Sequence, residues 1–168
     1  MIPMFQHWSK KNWDSVYIVS KEILRKCPND TTAFKSNMNY AFVYSAAAKT
    51  AEHKMTYPEL REALKSFLGK PFLTPVHATT TDKKLNQSGV TLITRDKSGS
   101  RATTISRTDD QKTIICIEEF NFKKKIKPTQ DFKNRFIRCG GKLYSIEINS
   151  KMDDVWIIHL VFYDAYYL

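Results

Sequence analysis

The chain has 168 residues, with 27 basic and 17 acidic side chains and a formal net charge of +10. That length is one domain's worth, or a small helical part fused to a small β part. With 42% hydrophobic and 12% aromatic residues, and only 5 glycines and 6 prolines, the chain can build a core, which excludes disordered, collagen-like and linker-like classes.

In chain order, the first expected element is a helix over about 9–27. Trp13, Val16, Tyr17, Ser20, Ile23, Leu24 and Cys27 recur at helical spacing, and Pro28 stops it. Asn29 or Asp30 can cap a second helix, whose stripe Phe34, Met38, Ala41, Phe42, Ser45 and Ala48 runs to about Lys54. Its run Ala46-Ala47-Ala48 suits close packing against another helix. A third helix opens on the capping box Thr56-x-x-Glu59 with Pro58 in its first turn. It carries Leu60, Ala63, Leu64, Phe67 and Leu68, and it ends at Gly69 before Pro71.

After about residue 75 the texture changes to a polar loop and then short β-rich runs. These are 90–94, 102–105, 113–117, 135–138 with 143–148, and 155–162. Turn signals separate them at Lys97-Ser98-Gly99, Asp109-Asp110, Gly140-Gly141 and Met152-Asp153-Asp154, and the glycine pair reads as a hairpin turn. The expected fold class is α+β. A three-helix unit over 1–76 precedes a small antiparallel β-barrel or sandwich of about six strands over 77–168, packed on it or tethered to it.

The two halves are equally basic, with 11 basic against 6 acidic residues before Val76 ends the first half and 16 against 11 after it. Within the second half the charge is concentrated. Lys123, Lys124, Lys125, Lys127, Lys133, Arg135, Arg138 and Lys142 are opposed only by Asp131. Lysine and arginine supply most of the affinity for phosphate backbones, and Phe120, Phe122, Phe132 and Phe136 interleave with them as candidate stacking rings. The same phenylalanines can equally be core residues on the alternate face of a strand, and a basic loop also suits an acidic protein partner.

No catalytic, cofactor-binding or metal-binding motif stands out. His7, His53, His77 and His159 lie in different elements without paired ligand spacing, and Cys27, Cys116 and Cys139 are far apart, so free thiols are expected. Glu118-Glu119 followed by three lysines invites a nuclease reading, but Asn121 stands where a Glu-x-Lys pattern needs lysine. There is no Gly-rich phosphate loop and no G-x-S-x-G elbow. The chain has no run of about 18 apolar residues, and its first residues carry no basic segment of a secretory signal.

Over roughly 88–164, the run Gly89-Val90-Thr91-Leu92-Ile93-Thr94-Arg95 is followed by Asp131 to Arg138, Cys139 to Ile146 and Trp156 to Phe162. This layout resembles the small β-barrel of tailed-phage head-closure and head–tail adaptor proteins. The resemblance implies a non-enzymatic virion component, made in the host cytoplasm and assembled as a ring around the DNA channel. Its partners would be other virion proteins or further copies of itself, with DNA as a further candidate and no membrane. Residues 13–34 are similar to one tetratricopeptide-type helical hairpin, although a solenoid needs at least about three repeats. Leu68-Gly69-Lys70-Pro71-Phe72 with His77 is similar to a stretch of phage prohead proteases, without a recognisable nucleophilic serine. The sequence thus favours a structural assembly protein. The alternative is a nucleic-acid-binding protein using Lys123, Lys124, Lys125, Lys127, Lys133, Arg135, Arg138 and Lys142 with Phe122 and Phe136.

Overall fold

The computed structural model describes residues 3–80, 90–95, 99–124, 126 and 135–168. Four helices come first: α1 (Pro3–Ser9), α2 (Trp13–Lys26), α3 (Ala33–Ala51) and α4 (Tyr57–Leu64). Eight strands follow: β1 (Pro71–Leu73), β2 (His77–Thr80), β3 (Val90–Arg95), β4 (Gly99–Arg107), β5 (Ile114–Phe122), β6 (Phe136–Ile137), β7 (Cys139–Ile148) and β8 (Trp156–Tyr167).

Local chemistry accounts for most helix boundaries. The Asn12 side chain accepts from the Ser15 amide at 3.2 Å and starts α2, and the Cys27 amide closes it on the Ile23 carbonyl. Asp30 accepts from the Thr32 amide at 2.7 Å, so it fixes the turn ahead of α3 rather than capping the helix itself. The capping box of α4 is present, with the Thr56 amide donating to Glu59 at 2.7 Å. That helix stops at Leu64, earlier than the apolar spacing suggested. Phe67 leaves the helix to stack on Phe42 at 5.1 Å, and Gly69 uses its φ of +78° in a separate turn that leads into β1. Helix α1, which the sequence pattern did not reveal, places Trp8 5.2 Å from Trp13 and 5.1 Å from Tyr44.

The fold is α+β, with helices first, as the sequence implied. The sheet is mixed and is not a closed barrel. Its strand order is β1-β7-β8-β5-β4-β3-β2-β6. β5 and β8 run parallel, as do β2 and β3, and all other neighbours are antiparallel. Gly140-Gly141 is not a turn. Both residues lie inside β7, opposite Leu73 and Phe72 of β1. A Cβ at Gly141 would sit 3.0 Å from the Tyr163 carbonyl oxygen, so the pair permits close passage of β8. The turns at Asp109-Asp110 and Asp153-Asp154 are formed, with Asp110 accepting from the Lys112 amide and Asp153 from the Val155 amide. Lys97 and Ser98 lie outside the described residues.

The helical and β parts share one core. Aromatic contacts run without a break from the sheet to the outermost helix layer: Phe120 to Phe162 (4.7 Å), Phe162 to Phe72 (5.4 Å), Phe72 to Phe67 (6.1 Å), Phe67 to Phe42 (5.1 Å) and Phe42 to Tyr17 (4.7 Å). Asn39 of α3 donates to the Pro71 carbonyl of β1 at 2.8 Å, and Tyr57 of α4 donates to Asp154 at 2.9 Å. Phe162 sits mid-chain in this series and is fully buried. Phe162→Ala should therefore cost about 3–5 kcal/mol. Tyr144→Ala, at an exposed ring, should cost about 0.5 kcal/mol or less. Denaturant unfolding of both variants checks the contrast.

Candidate functional site

Between the helices and the sheet lies a cavity of about 860 Å³. One stripe of α3, Tyr40, Tyr44, Ala48 and Ala51, recurs every three or four residues and forms one wall. Trp8 and Trp13 extend that wall. The opposite wall is the inward face of β4 and β5, with Thr104, Ser106, Ile115 and Glu118, and the segment Pro75-Val76-His77 closes one side. Lys11, Arg107, Asp109 and Lys112 belong to the rim.

Glu118 is the one carboxyl inside. On β5 the residues Cys116, Glu118, Phe120 and Phe122 alternate inward, so a glutamate occupies a core phase. Register places it directly opposite Thr104 on β4 and Leu160 on β8. The Thr104 hydroxyl donates to Oε2 of Glu118, and the Tyr40 hydroxyl lies beside the same carboxyl. Glu118 is 2% exposed, yet its Oε1 has no hydrogen-bond partner among the described residues. Nε2 of His77, also on the cavity wall, is likewise unpartnered. Buried polar atoms are paired in the great majority of cases, and of the five unpartnered ones among the described residues two belong to residues that line this cavity.

Burial sets the protonation of the surrounding groups. It pushes the Tyr40 phenol well above its ordinary value, with the neighbouring Glu118 carboxyl adding to the effect. Burial likewise raises the Tyr44 phenol, opposed by its hydrogen bond with Ser106. The Cys116 thiol is driven well up by burial and then by Glu118. Cys139 is pushed up to about 12 for the same reasons. At neutral pH the site therefore offers phenol donors, and the buried thiols nearby stay protonated. Among the described residues, no three His, Cys, Asp or Glu side chains converge as a metal site would need.

Adjacent Glu119 points to the other face of the sheet. It pairs with Arg101 at 3.0 Å, and His159 lies 3.9 Å from it and 3.8 Å from Glu147. The two glutamates therefore cannot bind one ion together. His7 and His53 lie apart from this group, on α1 and after α3.

The basic stretch is divided by the fold. Lys125, Lys127, Phe132 and Lys133 lie outside the described residues. Lys123 pairs with Asp164 at 2.5 Å, while Lys124 and Lys142 are exposed. Arg138 is half-buried, where it donates to the Thr74 carbonyl at 2.9 Å and to the Asn37 side chain and so ties β6–β7 to α3. Phe122 is buried beside Tyr167, and Phe120 is deeper still. Arg135 and Phe136, the latter 75% exposed, stand at the far end of the β6–β7 ribbon. At about 3.3 Å per residue they are on the order of 20 Å from Lys142. The sequence analysis named none of the cavity residues as site residues. Two signals were present: a glutamate in the inward phase of an apolar strand, and the Tyr40, Tyr44, Ala48 stripe on α3.

No protein-family model, no curated protein and no solved structure matches the chain.

Burial of two of the three cysteines gives a direct check. In native protein at pH 8, an aromatic disulfide reagent should titrate one thiol per chain rapidly, Cys27, and all three only after denaturation. The two buried thiols stay protonated in the folded state when unfolded thiols ionise near 8.5. Their contribution to stability is complete below about pH 8.5 and declines as pH rises through the folded-state values. Urea midpoints between pH 7 and 10 should accordingly fall on the alkaline side.

Proposed function

We propose that the chain binds a small organic molecule in the cavity between α3 and the sheet. The observation that supports this reading is the unpartnered, buried Oε1 of Glu118 on the wall of an 860 Å³ space. That size falls within the roughly 300–1,000 Å³ of ordinary ligand pockets, and the mixture of aromatic walls and a few convergent polar groups is what such sites use. Trp8, Trp13, Tyr40 and Tyr44 supply apolar contact area, and Glu118, Thr104 and His77 supply orientation. An apolar aromatic probe such as naphthylmethanol should bind and raise the melting temperature. Ala51→Trp, which places an indole in the cavity from its half-buried edge, should weaken that binding at least about tenfold. Absence of binding by the native protein, or binding that Ala51→Trp leaves unchanged in a folded variant, would contradict the proposal.

A second proposal is the assembly role: a non-enzymatic virion component of connector type, working through protein contacts, with nucleic acid as the alternative ligand. What favours it is the outer side of β7–β8. Tyr144 is 67% exposed and Tyr163 48% exposed, their rings are 4.5 Å apart, and Lys142 neighbours them along the strand. Aromatic residues in the midst of a polar surface are typical interface anchors. The native chain should then sediment above monomer mass at micromolar concentration, and Tyr144→Glu with Tyr163→Glu should return it to monomer. A monomer at every concentration, with no retention of DNA at low salt, would remove both arms of this second proposal.

A further inference from the structure

We propose that the ligand held by Glu118 is an organic cation, an amine or ammonium group carried on an apolar body. The inference rests on the reading of the cavity as a ligand site and names the chemistry of its occupant. Glu118 forms no ion pair with any described Lys, Arg or His; Thr104 donates to Oε2, the Tyr40 hydroxyl and Cys116 thiol lie beside the carboxyl, and Oε1 has no hydrogen-bond partner among the described residues. A buried carboxyl oxygen without a partner calls for a further donor or a cation, and Glu118 belongs to the lining of the cavity.

The charge of the lining points the same way. The chain as a whole carries +10, but the cavity is lined by four acids, Glu52, Asp109, Asp110 and Glu118, against three cations, Lys11, Arg107 and Lys112. The rim cations are already engaged. Lys11 pairs with Asp109, Lys112 lies 3.9 Å from Asp110, and Arg107 donates to the Gln111 carbonyl. His53, also on the lining, lies 3.9 Å from Asp154. The interior carboxyl alone is left without a counter-charge. The walls beside it are Trp8, Trp13, Tyr40 and Tyr44, packed with centroids 5.1–6.0 Å apart. Electron-rich aromatic faces around a carboxylate are the recognised chemistry for ammonium groups. A neutral donor could bond Oε1 but would gain less than a cation from the excess of acids in the lining and from the aromatic faces.

The test compares three probes of equal shape at pH 7 by calorimetric titration: naphthylmethylamine, naphthylmethanol and naphthoate. The native protein should bind the amine at least about tenfold more tightly than the alcohol, and should not bind the carboxylate. Glu118→Gln should remove the amine's advantage over the alcohol, read as the ratio of the two affinities within the variant. The native ladder is decisive even where the variant does not fold. Equal binding of amine and alcohol, or tighter binding of naphthoate, overturns the cation inference and leaves the ligand-site reading standing. No binding of any probe overturns both.

Discussion

Everything in this molecule depends on how α3 is seated. Thirteen of its 19 residues are buried, because α2 and α4 cover one side and the sheet covers the other. A helix buried all round cannot show a clean apolar stripe, and its polar side chains must bond locally. Ser45 and Thr50 do so, donating to carbonyls three and four residues back. Its small residues set the spacing. Where large rings stand opposite the helix, as with Phe72, Phe120 and Phe162, the gap is filled. Where Ala48 and Ala51 face Thr104 and Ser106, both sides are short and a cavity remains.

That division separates the stabilising part of the core from the part available for binding. The aromatic series from Phe120 to Tyr17 ties the sheet to both helix layers, and each ring is in contact with the next. The cavity end carries the polar atoms instead, and they are incompletely paired. A protein interior tolerates a buried carboxyl with one open oxygen only at a cost of about 1–3 kcal/mol or more. Such a cost at a cavity wall is the signature of a group kept for something it meets there. The same low dielectric that makes Glu118 costly when empty strengthens any cation it receives.

The α+β order, three of the four helices and most strands were legible in the sequence, because they follow from periodicity, the Thr56–Glu59 box and turn residues. The misreadings have physical causes. Gly140-Gly141 has the composition of a turn, yet its lack of side chains serves the close passage of β8. Gly69 has the conformation expected of it but lies beyond a helix already ended. The basic stretch was contiguous in sequence, while the fold spends Arg138 on a structural link and moves Arg135 and Phe136 away from Lys142 along the ribbon. Glu118 was visible only as half of an acidic pair. Its meaning came from strand alternation, which sends Glu118 inward and Glu119 outward to Arg101, and from the pairing that brings Thr104 beside it.

A crystal structure of the chain soaked with naphthylmethylamine is the decisive measurement. An amine nitrogen is expected within about 2.7–3.2 Å of Oε1 of Glu118, with the naphthyl ring against Tyr40, Tyr44 or Trp8. A cavity closed by the protein's own side chains, with Oε1 bonded to one of them, would contradict it.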